Sequence, residues 1–170
     1  LSGLLNEIRQ QPIESISQRT GIKLTTVENH TVLEFHFLDS LLWLTSPEND
    51  LVDANSRKPI GLFQKVLIMH YLCQSDGYPL ESRWISFSEL PSGNFYSRAF
   101  EGYTGKEIEK VFSGKEEQFA EACEGLGGIR ESSGDVAYSF DILPNIKLMA
   151  VCWVGDEDFP TSFRILFDGA

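Results

Sequence analysis

Leu4, Leu5 and Ile8 recur at helical spacing, and Pro12 then opens a second short run in which Ile13 and Ile16 face one way before Gly21 can stop it. Two short helices are predicted. From Ile22 to Val27 and from Thr31 to Phe37 the period changes to two, with Leu33, Phe35 and Phe37 alternating with Val32, Glu34 and His36. Glu28, Asn29 and His30 separate these runs, so they read as a β-hairpin with one buried face, continued by a strand over Leu41 to Leu44. The polar stretch from Ser46 to Lys58 reads as a surface loop. Pro59 then opens a helix from Ile60 to Gln74 whose Leu62, Phe63, Val66, Leu67, Ile68 and Met69 leave little polar face, which predicts a helix enclosed in the core.

Farther along, Thr104-Gly-Lys-Glu107 and Ser113-Gly-Lys-Glu116 each fit the capping box, in which a hydroxyl and a glutamate satisfy opposing backbone donors. Two consecutive helices follow from this, the first with Ile108, Val111 and Phe112 as its apolar stripe, the second with Phe119, Ala122, Cys123 and Leu126 and a stop at Gly127. Val136, Tyr138, Phe140 and Ile142 alternate with Ala137, Ser139 and Asp141, and Leu143-Pro144-Asn145 turns the chain into the apolar run Ile146 to Val154. A last strand spans Phe163 to Phe167. Strands toward both ends with helices between them predict an α+β fold, a mainly antiparallel sheet packed with four to five helices in one domain over residues 1–170. Trp84 and Trp153, each at the end of an apolar strand, are expected to be largely buried.

Composition narrows the function classes. Among 170 residues, 14 Lys and Arg stand against 25 Asp and Glu, a formal charge of -11, and the basic residues are scattered. Such a field repels phosphate backbones and anionic headgroups, so nucleic acid and membrane surfaces are not expected partners; a cationic partner, a metal ion or a neutral ligand fits. No apolar stretch reaches the roughly 20 residues that span a bilayer. Cys73, Cys123 and Cys152 are odd in number, far apart and set among apolar neighbours, which points to reduced, buried thiols and a cytoplasmic, soluble protein.

Two segments concentrate residues that could carry chemistry. Between Arg83 and Phe100, around a Pro91-Ser92-Gly93 turn, Trp84, Phe95 and Tyr96 could wall a pocket while Glu89 and Arg98 orient a polar ligand; the structural alternative is an aromatic satellite core with a Glu89 to Arg98 ion pair. In the loop Gly155 to Thr161, Asp156, Glu157 and Asp158 are adjacent carboxylates followed by Phe159, an oxygen-rich stretch that suits a divalent cation, although EF-hand spacing is absent and a solvated acidic turn is the plainer reading. Glu89 and the acidic loop are expected to border one shared site. Gly105-Lys106 and Gly114-Lys115 are followed by Glu where a phosphate loop needs Ser or Thr, and His30, His36 and His70 show no zinc spacing, so no cofactor is evident from motifs.

The run Trp84-Ile-Ser-Phe-x-Glu-Leu-Pro-x-Gly-x-Phe-Tyr96, followed by Leu126-Gly-Gly128, Gly134-Asp135, Leu143-Pro144, Trp153-x-Gly-Asp-Glu-x-Phe-Pro160 and Leu166-Phe-Asp168, resembles the family catalogued as domain of unknown function 3786, over roughly Leu51 to Asp168. The resemblance implies an uncharacterised protein of anaerobic bacteria and archaea, at times found beside iron-sulfur modules, with a context of anaerobic redox or corrinoid metabolism. It also implies a further segment beyond Leu166-Phe167-Asp168. The chain itself has no cluster-ligating cysteine set. Residues and resemblance together point to a ligand- or partner-binding accessory domain, with a small carboxylate enzyme, assisted by a divalent cation, as the alternative.

Overall fold

The alternating and helical runs fold much as their periods require, in a computed structural model that describes residues 2–48 and 50–169. The fold class is α+β, with two antiparallel sheets and six α-helices among the described residues. Contacts gather the chain into two compact units: residues 1–78 with 143–145, and residues 79–142 with 146–170.

The first unit begins with α1 (Ser2–Gln10) and α2 (Ile13–Thr20). Ile8, Ile13 and Ile16 are buried, while the side chain of Leu5 lies outside the described residues. Gly21 ends α2 in the left-handed conformation, φ 72°, its N–H donating to the Ser17 carbonyl, as a helix-stop glycine does. A four-stranded meander follows, β1 (Lys23–Val27), β2 (His30–Phe37), β3 (Ser40–Ser46) and β4 (Leu51–Asp53). Leu33 and Phe35 are buried on one face as the alternation predicts, and Val32, Trp43 and Ala54 form a second cluster, so the hairpin is covered more fully than a one-faced pattern implies.

Two expectations in this unit need correction. The polar stretch from Ser46 to Lys58 is no mere loop, because Leu51–Asp53 pairs with β3 in register Leu42↔Asp53 and Leu44↔Leu51; three residues are too few to show a period. The helix expected from Ile60 is α3 (Leu62–Gln74), and it is not enclosed: Ile68, Met69, Tyr71 and Leu72 are buried, but Leu62 and Phe63 are 67% and 81% exposed. Its first turn runs out to solvent while its second half packs with α1 and α2.

The second unit is built on a five-stranded sheet, order β5-β9-β8-β7-β6, from β5 (Trp84–Ser86), β6 (Ile129–Glu131), β7 (Val136–Leu143), β8 (Ile146–Trp153) and β9 (Ser162–Asp168). Alternation sorts its side chains between two faces. Tyr138, Ala150, Cys152 and Phe163 pack with Phe119 and Cys123 of α6 (Glu116–Gly125) and with Ile108 and Phe112 of α5 (Gly105–Phe112). The intervening Ala137, Met149 and Val151 pack with Trp84 and Leu166. β6 was not expected from sequence, since three residues again carry no period.

Between β5 and α5 lie a single 3-10 turn, Phe87–Glu89, and α4 (Gly93–Tyr103), a helix that the Pro91-Ser92-Gly93 turn signal does not predict. The helix starts at the glycine of that turn. The two expected capping boxes do not form. Thr104 Oγ1 donates back to the Phe100 carbonyl at 2.7 Å, and Glu116 accepts the Gly114 N–H at 3.1 Å, so α6 starts at Glu116 with no side-chain cap from Ser113. Thr104 could not cap α5 because α4 runs directly into it.

Candidate functional site

Two glycines of the second unit bring backbones into contact. A Cβ on Gly93 would lie 1.8 Å from the Phe87 carbonyl oxygen, and one on Gly105 would lie 2.2 Å from that of Phe163. The 3-10 turn, α4, α5 and β9 are drawn together at these points, and Phe87, Phe100 and Phe167 fill the join, the first two stacked at 4.2 Å and 7°. A cavity of about 20 Å³ remains beneath, lined by Ser86, Ser88, Ser97, Glu101 and Thr104 among others. A water needs roughly 10–15 Å³, so this space has room for about one water and is too small for a metabolite.

None of the residues singled out from sequence in these two segments lines that cavity. Trp84 is half-buried against Ala137, Met149 and Val151, a packing role. Glu89 does not pair with Arg98. Its Oε2 accepts the Ser86 N–H and hydroxyl, both at 2.8 Å, and these donors, led by the backbone N–H, hold its carboxyl below the usual range. Asp156 likewise accepts the N–H groups of Asp158 and Phe159, each at 2.9 Å, and is lowered by them, with Phe159 first. Glu157 and Asp158 are exposed, and Phe159 is 72% exposed. Glu89 and the acidic loop share no hydrogen bond or ion pair among the described residues. Nor do any three His, Cys, Asp or Glu side chains there gather so as to hold a metal ion.

Two further motif acids behave in the same way. Asp135 Oδ2 accepts the Val154 N–H at 2.7 Å, and Asp168, 9% exposed, accepts the Glu81 N–H at 2.6 Å. Four separate carboxylates therefore tie turns and strand ends to the backbone, a use of charge-assisted hydrogen bonds that needs no ligand. Trp153 also departs from expectation: it is 36% exposed, with the Arg164 guanidinium 6.0 Å from its ring, because β8 ends there and its side chain falls beyond the covered face.

The exposed residues lie elsewhere. On α4, Phe95, Tyr96 and Tyr103 are 87%, 67% and 83% exposed, and Arg98, three residues after Phe95, is exposed beside that ring's position. The spacing Phe95, Ala99, Tyr103 is i, i+4, i+8, so with Tyr96 the rings share one side of the helix, bordering the half-buried Phe100, which lies i+4 from Tyr96. Tyr96 and Arg98 were expected in a pocket lip; Tyr96 is on this open face, and Arg98 is exposed on another side of the helix. Tyr103 was missed, and its signal was present once residues 93–103 are taken as helix.

A sequence model described as Domain of unknown function (DUF3786) matches residues 12–170. The chain belongs to the DUF3786 family. The match runs past the expected start at Leu51 and takes in α2 and the whole first sheet of this DUF3786 domain. No curated protein and no solved structure matches the chain. No helix among the described residues is long and apolar enough to cross a membrane.

Proposed function

We propose that this DUF3786 domain is a binding module that docks a protein partner through the exposed aromatic face of α4, and that the partner presents an apolar centre ringed by Lys and Arg. The observation that carries this is the contrast within one segment. Its Glu89 is engaged with its own backbone, whereas Phe95, Tyr96 and Tyr103 stand in solvent on one helix face. Aromatic rings beside an arginine are the residue types enriched where protein interfaces concentrate their binding energy. The formal charge of -11 gives the partner its sign, since it steers a basic surface inward and repels an acidic one. A cytoplasmic setting agrees with the three free thiols Cys73, Cys123 and Cys152, and the family resemblance adds an anaerobic prokaryotic context. Catalysis by a carboxylate pair has no such support, because Glu89 and Asp156 each serve a local turn.

Paired captures test this. Immobilised domain is exposed to extract of its source cells beside Phe95→Ser/Tyr103→Ser and, as control, Leu62→Ser/Phe63→Ser, all exposed positions whose replacement leaves folding stability within about 0.5 kcal/mol each. A protein held by the parent and the control, lost from the α4 variant and released as salt rises, is expected. Capture that is indifferent to the α4 variant, or no capture at all, overturns the proposal.

A further inference from the structure

The first unit carries an open pocket of about 170 Å³, more than tenfold the roughly 10–15 Å³ that one water requires and so room for a small metabolite, with Ser40, Ser56, Lys58 and Gln64 of its lining exposed to solvent. Its wall comes from one continuous stretch, Phe37 to Gln64. β4 pairs with β3, the chain turns at 54–57, and the Asp53 N–H then donates to the Lys58 carbonyl at 3.0 Å while Val52 bridges Pro59. This fold-back sets the backbone positions of Asp53 and Lys58, the two ionisable residues that line the space. Asp53 Oδ1 accepts the Ser56 N–H at 2.7 Å, which fixes the carboxylate in place. The Lys58 ammonium makes no ion pair or hydrogen bond among the described residues. Arg57, next in sequence, is used elsewhere: its guanidinium lies 4.1 Å over the Trp43 ring and 3.3 Å from Glu28. Phe37, Leu42 and Ile60 supply apolar wall, and Ser40, Ser56 and Gln64 supply neutral polar groups.

We propose that this pocket binds a small zwitterion of amino-acid size, its ammonium toward Asp53 and its carboxylate toward Lys58. One charge of each sign selects against singly charged molecules. A free anion meets Asp53 and the field of a chain at -11, and a free cation meets Lys58; a molecule carrying both charges satisfies both groups at once. The apolar wall accommodates a short side chain, and the volume is below the roughly 300–1,000 Å³ of drug-sized sites, which sets the size class. The site is separate from the α4 face and does not depend on it.

The test is NMR titration of the isotopically labelled chain with each of the twenty amino acids, and with propionate and ethylamine as analogues of alanine lacking one charge. At least one amino acid is expected to shift the amides of Ser40, Asp53, Ser56 and Gln64 saturably, with propionate and ethylamine silent. Asp53→Asn, which keeps an oxygen to accept the Ser56 N–H, and Lys58→Gln should each weaken binding tenfold or more. Saturation transfer on the unmutated chain gives an answer even if a variant misfolds. No saturable shift with any amino acid up to 20 mM (a ceiling on the order of the weakest useful site), or equal binding of propionate or ethylamine, overturns the proposal.

Discussion

At the scale of single residues, glycine and the motif carboxylates decide more than the aromatic residues that first draw notice. Gly105 is buried, and a methyl group there would meet the Phe163 carbonyl oxygen at 2.2 Å, backbone that cannot swing aside. Gly102, three residues earlier, has open space around its Cβ position. Opposite outcomes are therefore expected from the same substitution in denaturant melts. Gly105→Ala should cost about 1–3 kcal/mol through forced separation of α5 and β9. Gly102→Ala should gain about 0.5–1 kcal/mol by lowering the entropy of a helical position. Equal effects at both sites would remove the close-approach explanation. The carboxylates teach a related lesson. Glu89 and Asp156 attracted a functional reading because sequence shows charge and not the direction of a side chain, and in the folded chain their oxygens point back at N–H groups two or three residues away.

At the scale of elements, what was legible in the sequence was periodicity, and what was not was anything too short or too irregular to have a period. β2 and β7 follow from alternation, β8 from a continuous apolar run, and α2 with its Gly21 stop from helical spacing and a glycine. β4 and β6, at three residues each, are set by their partners and left no trace. α4 was hidden by Pro91-Ser92-Gly93, which reads as a turn but is the helix entrance, with Ser92 at φ 63°. The three-ring join of Phe87, Phe100 and Phe167 holds this helix to the sheet. Phe100→Ala should therefore lower stability by about 2 kcal/mol, less than a fully enclosed ring because Phe100 is half-buried, and should raise amide exchange across α4 more than across α6. Uniform exchange in both helices would mean that the rings do not anchor α4.

At the scale of the whole molecule, one family match covers elements of both compact units, from α2 to β9. The α+β class was legible because strands cluster toward the ends and helices between them, a coarse pattern that survives errors in individual boundaries. The candidate sites were less legible. The α4 face needs a helix that sequence did not reveal, and the pocket of the first unit takes Asp53, Ser56 and Lys58 from a stretch that reads as a surface loop. Net charge, by contrast, is a sum that folding does not alter, and -11 bears on the partner as much after the fold is known as before. The most direct measurement on the docking of a basic protein at α4 is site-specific photo-crosslinking in the source cells, with a photoreactive phenylalanine at Tyr103 and a control at Phe63, both exposed. A single adduct from position 103 that is absent from position 63, with the attached peptide carrying Lys or Arg beside an apolar residue, is the predicted result. An adduct to a second copy of this chain, or equal labelling from both positions, contradicts it.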